Sequence, residues 1–198
     1  KNKVILITGA SSGIGKDTAL NLIKEGHIVY GAARRISKMK DIVEAGGHSI
    51  KMDILNNEDV DKAVDRVISE HKRIDVLVNN AGYGLWGAVE TISIDEAKRQ
   101  FDVNIFGLAY LTKKVIPLMR NQKSGKIINM SSMGGKVYTP FGAWYHATKY
   151  ALEGWSDCLR IELKSFGINV ILIEPGVIKT EFQDVMMDST VERSIGTP

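Results

Sequence analysis

The chain lacks most features that would assign it at a glance. It has one cysteine, Cys158, in 198 residues. No intramolecular disulfide can form, and a reducing compartment is expected. No apolar run approaches the roughly 20 residues of a membrane-spanning helix. Repeats, linkers and low-complexity stretches are absent. The formal charge is only +3, and the basic residues are spread along the chain. Without a basic arm or an aromatic-basic stripe, nucleic acid is not an expected partner. The four histidines are scattered, so no metal site is expected. The first strand pattern, "KVILITG", has no signal peptide before it, and a cytoplasmic location is expected.

What is present is ordinary globular composition, 44% hydrophobic and 25% charged. One domain over residues 1–198 is expected. "VILIT" (Val4 to Thr8) is a continuous β-rich run of the kind buried on both sheet faces. A helical pattern follows to about Glu25 and closes on Gly26. Further strands read as "HIVYGA", "HSIKM", "DVLVN", "GKIINMS" and "INVILIE". Helices are predicted near 36–45, 57–71, 94–121 and 143–166. Asn56 is the expected cap of the second of these, and Ser93 with Glu96 forms a capping box for the third. Leu152, Trp155, Leu159 and Phe166 mark a buried face on the last. Strand–helix alternation predicts a doubly wound α/β domain with six parallel strands, its ligands at their C-terminal ends.

"TGASSGIG" (Thr8 to Gly15) stands at the end of the first strand. Gly9, Gly13 and Gly15 leave room for a tight turn and for a phosphate to approach the backbone. The helix N-terminus behind offers free N–H groups to an anion. "YHATK" puts Tyr145 and Lys149 on one helix face.

These motifs together resemble the short-chain dehydrogenase/reductase family. "NNAG" (Asn79 to Gly82) follows the fourth strand, and Ser131 and Ser132 end the fifth. Tyr145 follows Ser132 by thirteen residues, "DVNIFG" carries Asn104, and "EPGVIKT" follows the sixth strand. The resemblance implies a hydride transfer between a nicotinamide and a carbonyl or alcohol. Tyr145 would be general acid or base, and Lys149 would lower its pKa. Ser132 would hold the substrate oxygen, and Asn104 would join a proton relay. His146 is read as pointing away, with no role.

The resemblance also implies the cofactor contacts. Ser11, Ser12 and Ile14 belong with the three turn glycines. Asp53 would bond the adenine, with Ile54 beside it. Asn80, Ala81 and Gly82 would border the adenine ribose. Pro175, Gly176, Ile178 and Thr180 would border the nicotinamide, and Lys149 would reach its ribose. A site for NAD needs an acid at the end of the second strand. Ala33 stands there, followed by Arg34 and Arg35. NADP is therefore expected, with Arg34 the main contact to the 2′-phosphate.

Family members usually continue to a seventh strand, which would complete the substrate pocket. Trp86, Met133, Tyr138, Phe141, Trp144, Met186 and Met187 suggest apolar pocket walls and a small apolar carbonyl or alcohol substrate. Two alternatives stay open: a 3-oxoacyl-carrier-protein reductase, and a cofactor-binding sensor without turnover. A homodimer or homotetramer is expected through the helices at 94–121 and 143–166, on Leu108, Leu111, Leu152 and Trp155.

Overall fold

The structure is a computed structural model that describes residues 2–178. Six strands form one parallel sheet: β1 (Val4–Thr8), β2 (Ile28–Ala33), β3 (His48–Lys51), β4 (Val76–Asn79), β5 (Gly125–Met130) and β6 (Ile168–Ile173). Their order is β3-β2-β1-β4-β5-β6. The order reverses between β1 and β4, so a crevice opens at the C-terminal ends of those two strands.

The helices are α1 (Gly13–Lys24), α2 (Lys40–Glu44), α3 (Asn57–His71), α4 (Ile94–Phe101), α5 (Leu108–Gln122) and α6 (Ala143–Leu163). Their boundaries follow from local chemistry. The Asn56 side chain accepts from the N–H groups of Glu58 and Asp59, and Ser93 and Glu96 make the reciprocal capping box at α4. Gly26, at φ +82°, ends the excursion after α1. The long helix expected over 94–121 is broken by a π turn at Asp102–Gly107.

Alternation along β1 divides the core. Val4 and Leu6 join α3, α5 and the end of α6, with Val60, Val67, Leu111 and Leu163. Ile5 and Ile7 face the other way, onto Ala19 of α1 and Ile42 of α2. Each fully buried aliphatic side chain stabilises the fold by about 1.5–3 kcal/mol.

Two apolar assignments change. Leu108, Leu111 and Leu152 are buried within the chain's own core, and Trp155 packs against it. These leucines do not form an outward face; the apolar side chains α4, the π turn and α6 expose are Ile94, Phe106, Tyr150 and Ile161. Phe166 lies past the end of α6 in a short 3-10 turn and is partly exposed. Among the described residues, no helix is long and apolar enough to cross a membrane.

Candidate active site

A cleft of about 900 Å³ runs along the C-terminal ends of the strands, from Arg34 and Arg35 to Tyr145 and Lys149. The glycine turn forms its floor. Gly9 and Gly13 both have positive φ, +68° and +52°, which glycine adopts without strain. At Gly15 a Cβ would lie 2.4 Å from Asn80 Nδ2 and 2.6 Å from the Gly9 carbonyl. The turn is therefore welded to the end of β4. Thr8 Oγ1 accepts from the N–H groups of Asn80 and Ala81, at 3.1 and 3.0 Å. Asn80 Nδ2 donates back to the carbonyls of Thr8 and Gly9.

The N-terminus of α1 differs from those of α3 and α4. Ser12 makes no side-chain capping hydrogen bond, so the helix end opens toward the cleft. Arg35 reaches over it, its Nη2 donating to Ser11 Oγ at 3.3 Å and Ser12 Oγ at 3.4 Å. An uncapped helix end beneath a guanidinium fits a phosphate. Arg34, Asp53, Ile54, Gly82, Ile14, Pro175, Gly176 and Ile178 also line the cleft. Asp53 has a local task besides, since its Oδ1 accepts from the Leu55 N–H at 3.0 Å. Thr180, Met186 and Met187 lie outside the described residues.

At the other end of the cleft α6 delivers Tyr145 and Lys149 one turn apart, both buried. Lys149 Nζ donates to the Met130 carbonyl at 2.8 Å and lies 5.7 Å from the Tyr145 ring centroid. Burial holds Lys149 down at about 8, with Glu153 acting in the opposite direction. The Tyr145 phenol is pushed up by burial, opposed by a hydrogen bond with Ser132. The net shift on this phenol is thus upward, where the sequence led to a lowering by Lys149. Ser132 Oγ also accepts from the Gly134 N–H at 3.0 Å.

Asn104 occupies the π turn. Its Nδ2 donates to the Tyr83 carbonyl and to Thr148 Oγ1, and its Oδ1 accepts from the Tyr83 N–H. The side chain braces α6 to the segment after β4.

His146 does not point away. It is buried and lines the cleft. Its Nδ1 pairs with the Gly134 carbonyl at 2.9 Å, and its Nε2 accepts from the Thr139 N–H at 3.1 Å. Through these two contacts the ring staples the segment between Ser132 and Tyr145. Trp86 packs 4.7 Å from the Tyr145 ring and 5.8 Å from His146. The apolar wall is Trp86, Met133 and Val137. Tyr138 and Phe141 point to solvent, and Trp144 turns away to join Leu85, Ile92 and Ala97.

Sequence reasoning missed a buried polar ladder behind the site. Thr112 Oγ1 accepts from Asn79 Nδ2, which also donates to Asn129 Oδ1. Asn129 Nδ2 then donates to Ser156 Oγ. The ladder links α5, β4, β5 and α6, and so sets the height of α6 against the strand ends. An Asn at the end of β4 and another in β5 was the only signal for it.

The short chain dehydrogenase family matches residues 3–190. The chain belongs to that family. It is 44% identical over 186 residues to a 3-ketodihydrosphingosine reductase of Bacteroides thetaiotaomicron, covering 92% of this chain and 66% of that one. This chain therefore spans just under two thirds of that relative's length. Among solved structures it resembles a 3-ketoacyl-(acyl-carrier-protein) reductase from Brucella melitensis complexed with NADH. The identity is 32% and the TM-score 0.91, covering 96% of this chain and 81% of that one. It also resembles a serine dehydrogenase complexed with NADP+, at 31% identity and TM-score 0.89, over 96% and 79% of the two chains. The family's members are oxidoreductases that use a nicotinamide cofactor on small molecules.

Proposed function

We propose that this chain is an NADP-dependent oxidoreductase that interconverts a ketone or aldehyde and its alcohol on a small apolar substrate. The observation that carries the reading is the convergence of Ser132, Tyr145 and Lys149 on one cleft with the glycine turn. The bound nicotinamide supplies or accepts the hydride. As the carbonyl carbon gains that hydride, the C=O electron pair moves to oxygen, and the Tyr145 phenol donates its proton there. The Ser132 hydroxyl holds the same oxygen and polarises it. The phenolate left behind is stabilised by the Ser132 hydrogen bond and the buried ammonium of Lys149. Asn104 braces the π turn against α6 through Thr148, and its place in a proton relay to Lys149 belongs to the same reading. Excluding water is the part of Trp86, Met133 and the His146-stapled segment.

Arg34 and Arg35 follow β2 where an acid would select NAD. Both line the cleft, and Arg35 already lies over the uncapped α1 terminus. This supports a 2′-phosphate site, Arg34 the main contact and Arg35 the second. The two relatives named as ketone reductases support a ketone on an apolar chain as substrate; a 3-oxoacyl-carrier-protein reductase is the alternative. A dimer or tetramer is proposed through Ile94, Phe106, Tyr150 and Ile161. The test is a panel of ketones, aldehydes and alcohols with both cofactors, followed at 340 nm. Turnover of apolar ketones with NADPH is expected; inertness toward the whole panel would overturn the reading.

A further inference from the structure

Beside the residues given roles above lies a buried charge that the proposed reaction does not use. Glu153 stands one helical turn beyond Lys149 on α6, as Lys149 stands one turn beyond Tyr145. The three share one face. Glu153 is 6% exposed, and beyond Lys136 its carboxylate oxygens have no hydrogen-bond partner. Its counter-charge is Lys136, whose Nζ is 2.9 Å away. The same ammonium reaches Glu174 at 3.6 Å. Lys136 follows the short turn after Ser132, and Glu174 directly precedes Pro175. The ion triad therefore joins the segment that carries Ser132 to the one that borders the nicotinamide end of the cleft. The space is tight: a Cβ on Gly135 would come within 2.9 Å of Glu153 Cγ.

A buried carboxylate is costly unless cations face it. Here Lys136, a half-exposed side chain, meets it at 2.9 Å, and Lys149 stands one turn away on the same helix face. Among the described residues, the other titratable groups facing the pair are Tyr145 on α6 and Glu174 after β6, while β5 contributes the Met130 carbonyl. Burial drives Lys149 toward the neutral amine, and Glu153 is the group that resists it.

We propose that Glu153 is a positioning residue for the reaction, its carboxylate holding the Lys149 ammonium charged beside Tyr145 while Lys136 pins that carboxylate between the two segments. The proposal rests on the reading of Tyr145 and Lys149 above.

The experiment follows the Lys149 Cε resonance by NMR in protein carrying 13C-labelled lysine, assigned by its loss in Lys149→Met. In Glu153→Gln the titration midpoint should fall by about one pH unit. In Lys136→Gln, a change at a half-exposed side chain, it should rise, because Glu153 then acts on Lys149 alone. The alkaline limb of the pH–rate profile for carbonyl reduction should move with the midpoint in each variant. A role only in packing would lower turnover without moving either. An unmoved midpoint in Glu153→Gln overturns the proposal, as does a midpoint that moves without the limb. Should Glu153→Gln fail to fold, an unchanged or lowered midpoint in Lys136→Gln overturns it. Absence of turnover in the unaltered protein would strike the proposed function alone, since the NMR titration needs no substrate.

Discussion

Two tyrosines in this chain are buried beside ionisable groups, and only one of them faces an opening. Tyr30 of β2 is fully buried. Its hydroxyl donates to the Glu70 carboxylate and pairs with His71 Nε2 at 2.8 Å. Its ring stacks on His48 at 4.4 Å, and Arg66 holds Glu70 in place at 3.0 Å. Tyr145 has a hydroxyl group, Ser132, as its partner, with an ammonium alongside and a cleft in front. Both phenols are pushed up by burial, but Glu70 pushes Tyr30 further while Ser132 opposes the rise on Tyr145. A phenol whose proton is locked onto an anion is part of the frame. A phenol whose phenolate form has a donor and a cation waiting can give its proton away.

The contrast is broken most severely by Lys149→Met. Turnover should fall by about 10³-fold or more, and binding of the nicotinamide cofactor should weaken as well. The same variant should gain stability near neutral pH. Lys149 titrates at about 8 in the folded chain against about 10.4 unfolded. The unfolded chain therefore binds the extra proton between those values, and this lysine's contribution to stability rises with pH across that window. The thermal advantage of Lys149→Met should be largest at pH 7 and shrink toward pH 10, as calorimetry at several pH values would show.

Arg34→Ala acts at the far end of the cleft and should weaken NADPH by about 10-fold to 150-fold, the loss of a charge-assisted bond of about 1.5–3 kcal/mol. NADH should be nearly unaffected, and salt should erode the NADPH advantage. Fluorescence titration with each cofactor measures both. Tyr30→Phe gives the smallest effect. It should lower stability by about 1 kcal/mol and leave turnover per folded molecule unchanged, a result that denaturant unfolding and kinetics would check together.

Much of this site was legible in the residues themselves. The glycine turn, the NNAG segment, Ser132, Tyr145 and Lys149 are local patterns, each set by its own strand end or helix turn. Caps at Asn56 and Ser93 were legible for the same reason. What could not be read depends on folding back. Tyr138 and Phe141 look like pocket residues because they lie near Tyr145 in sequence, yet His146 staples that segment so that both face solvent. Glu153 looks like one more helical charge until the turn at Lys136 closes over it. Leu111 and Leu152 carry the apolar spacing of an interface but are buried within the chain. Periodicity names a face; only the packing says what covers it.

The central claim is that Tyr145 supplies the proton, and Tyr145→Phe tests it most directly. The substitution keeps the ring against Trp86 and removes only the hydroxyl. Single-turnover reduction of an apolar ketone by bound NADPH should be lost in this variant, by at least about 10²-fold, while NADPH binds with unchanged affinity. A rate near that of the unaltered protein would contradict the account.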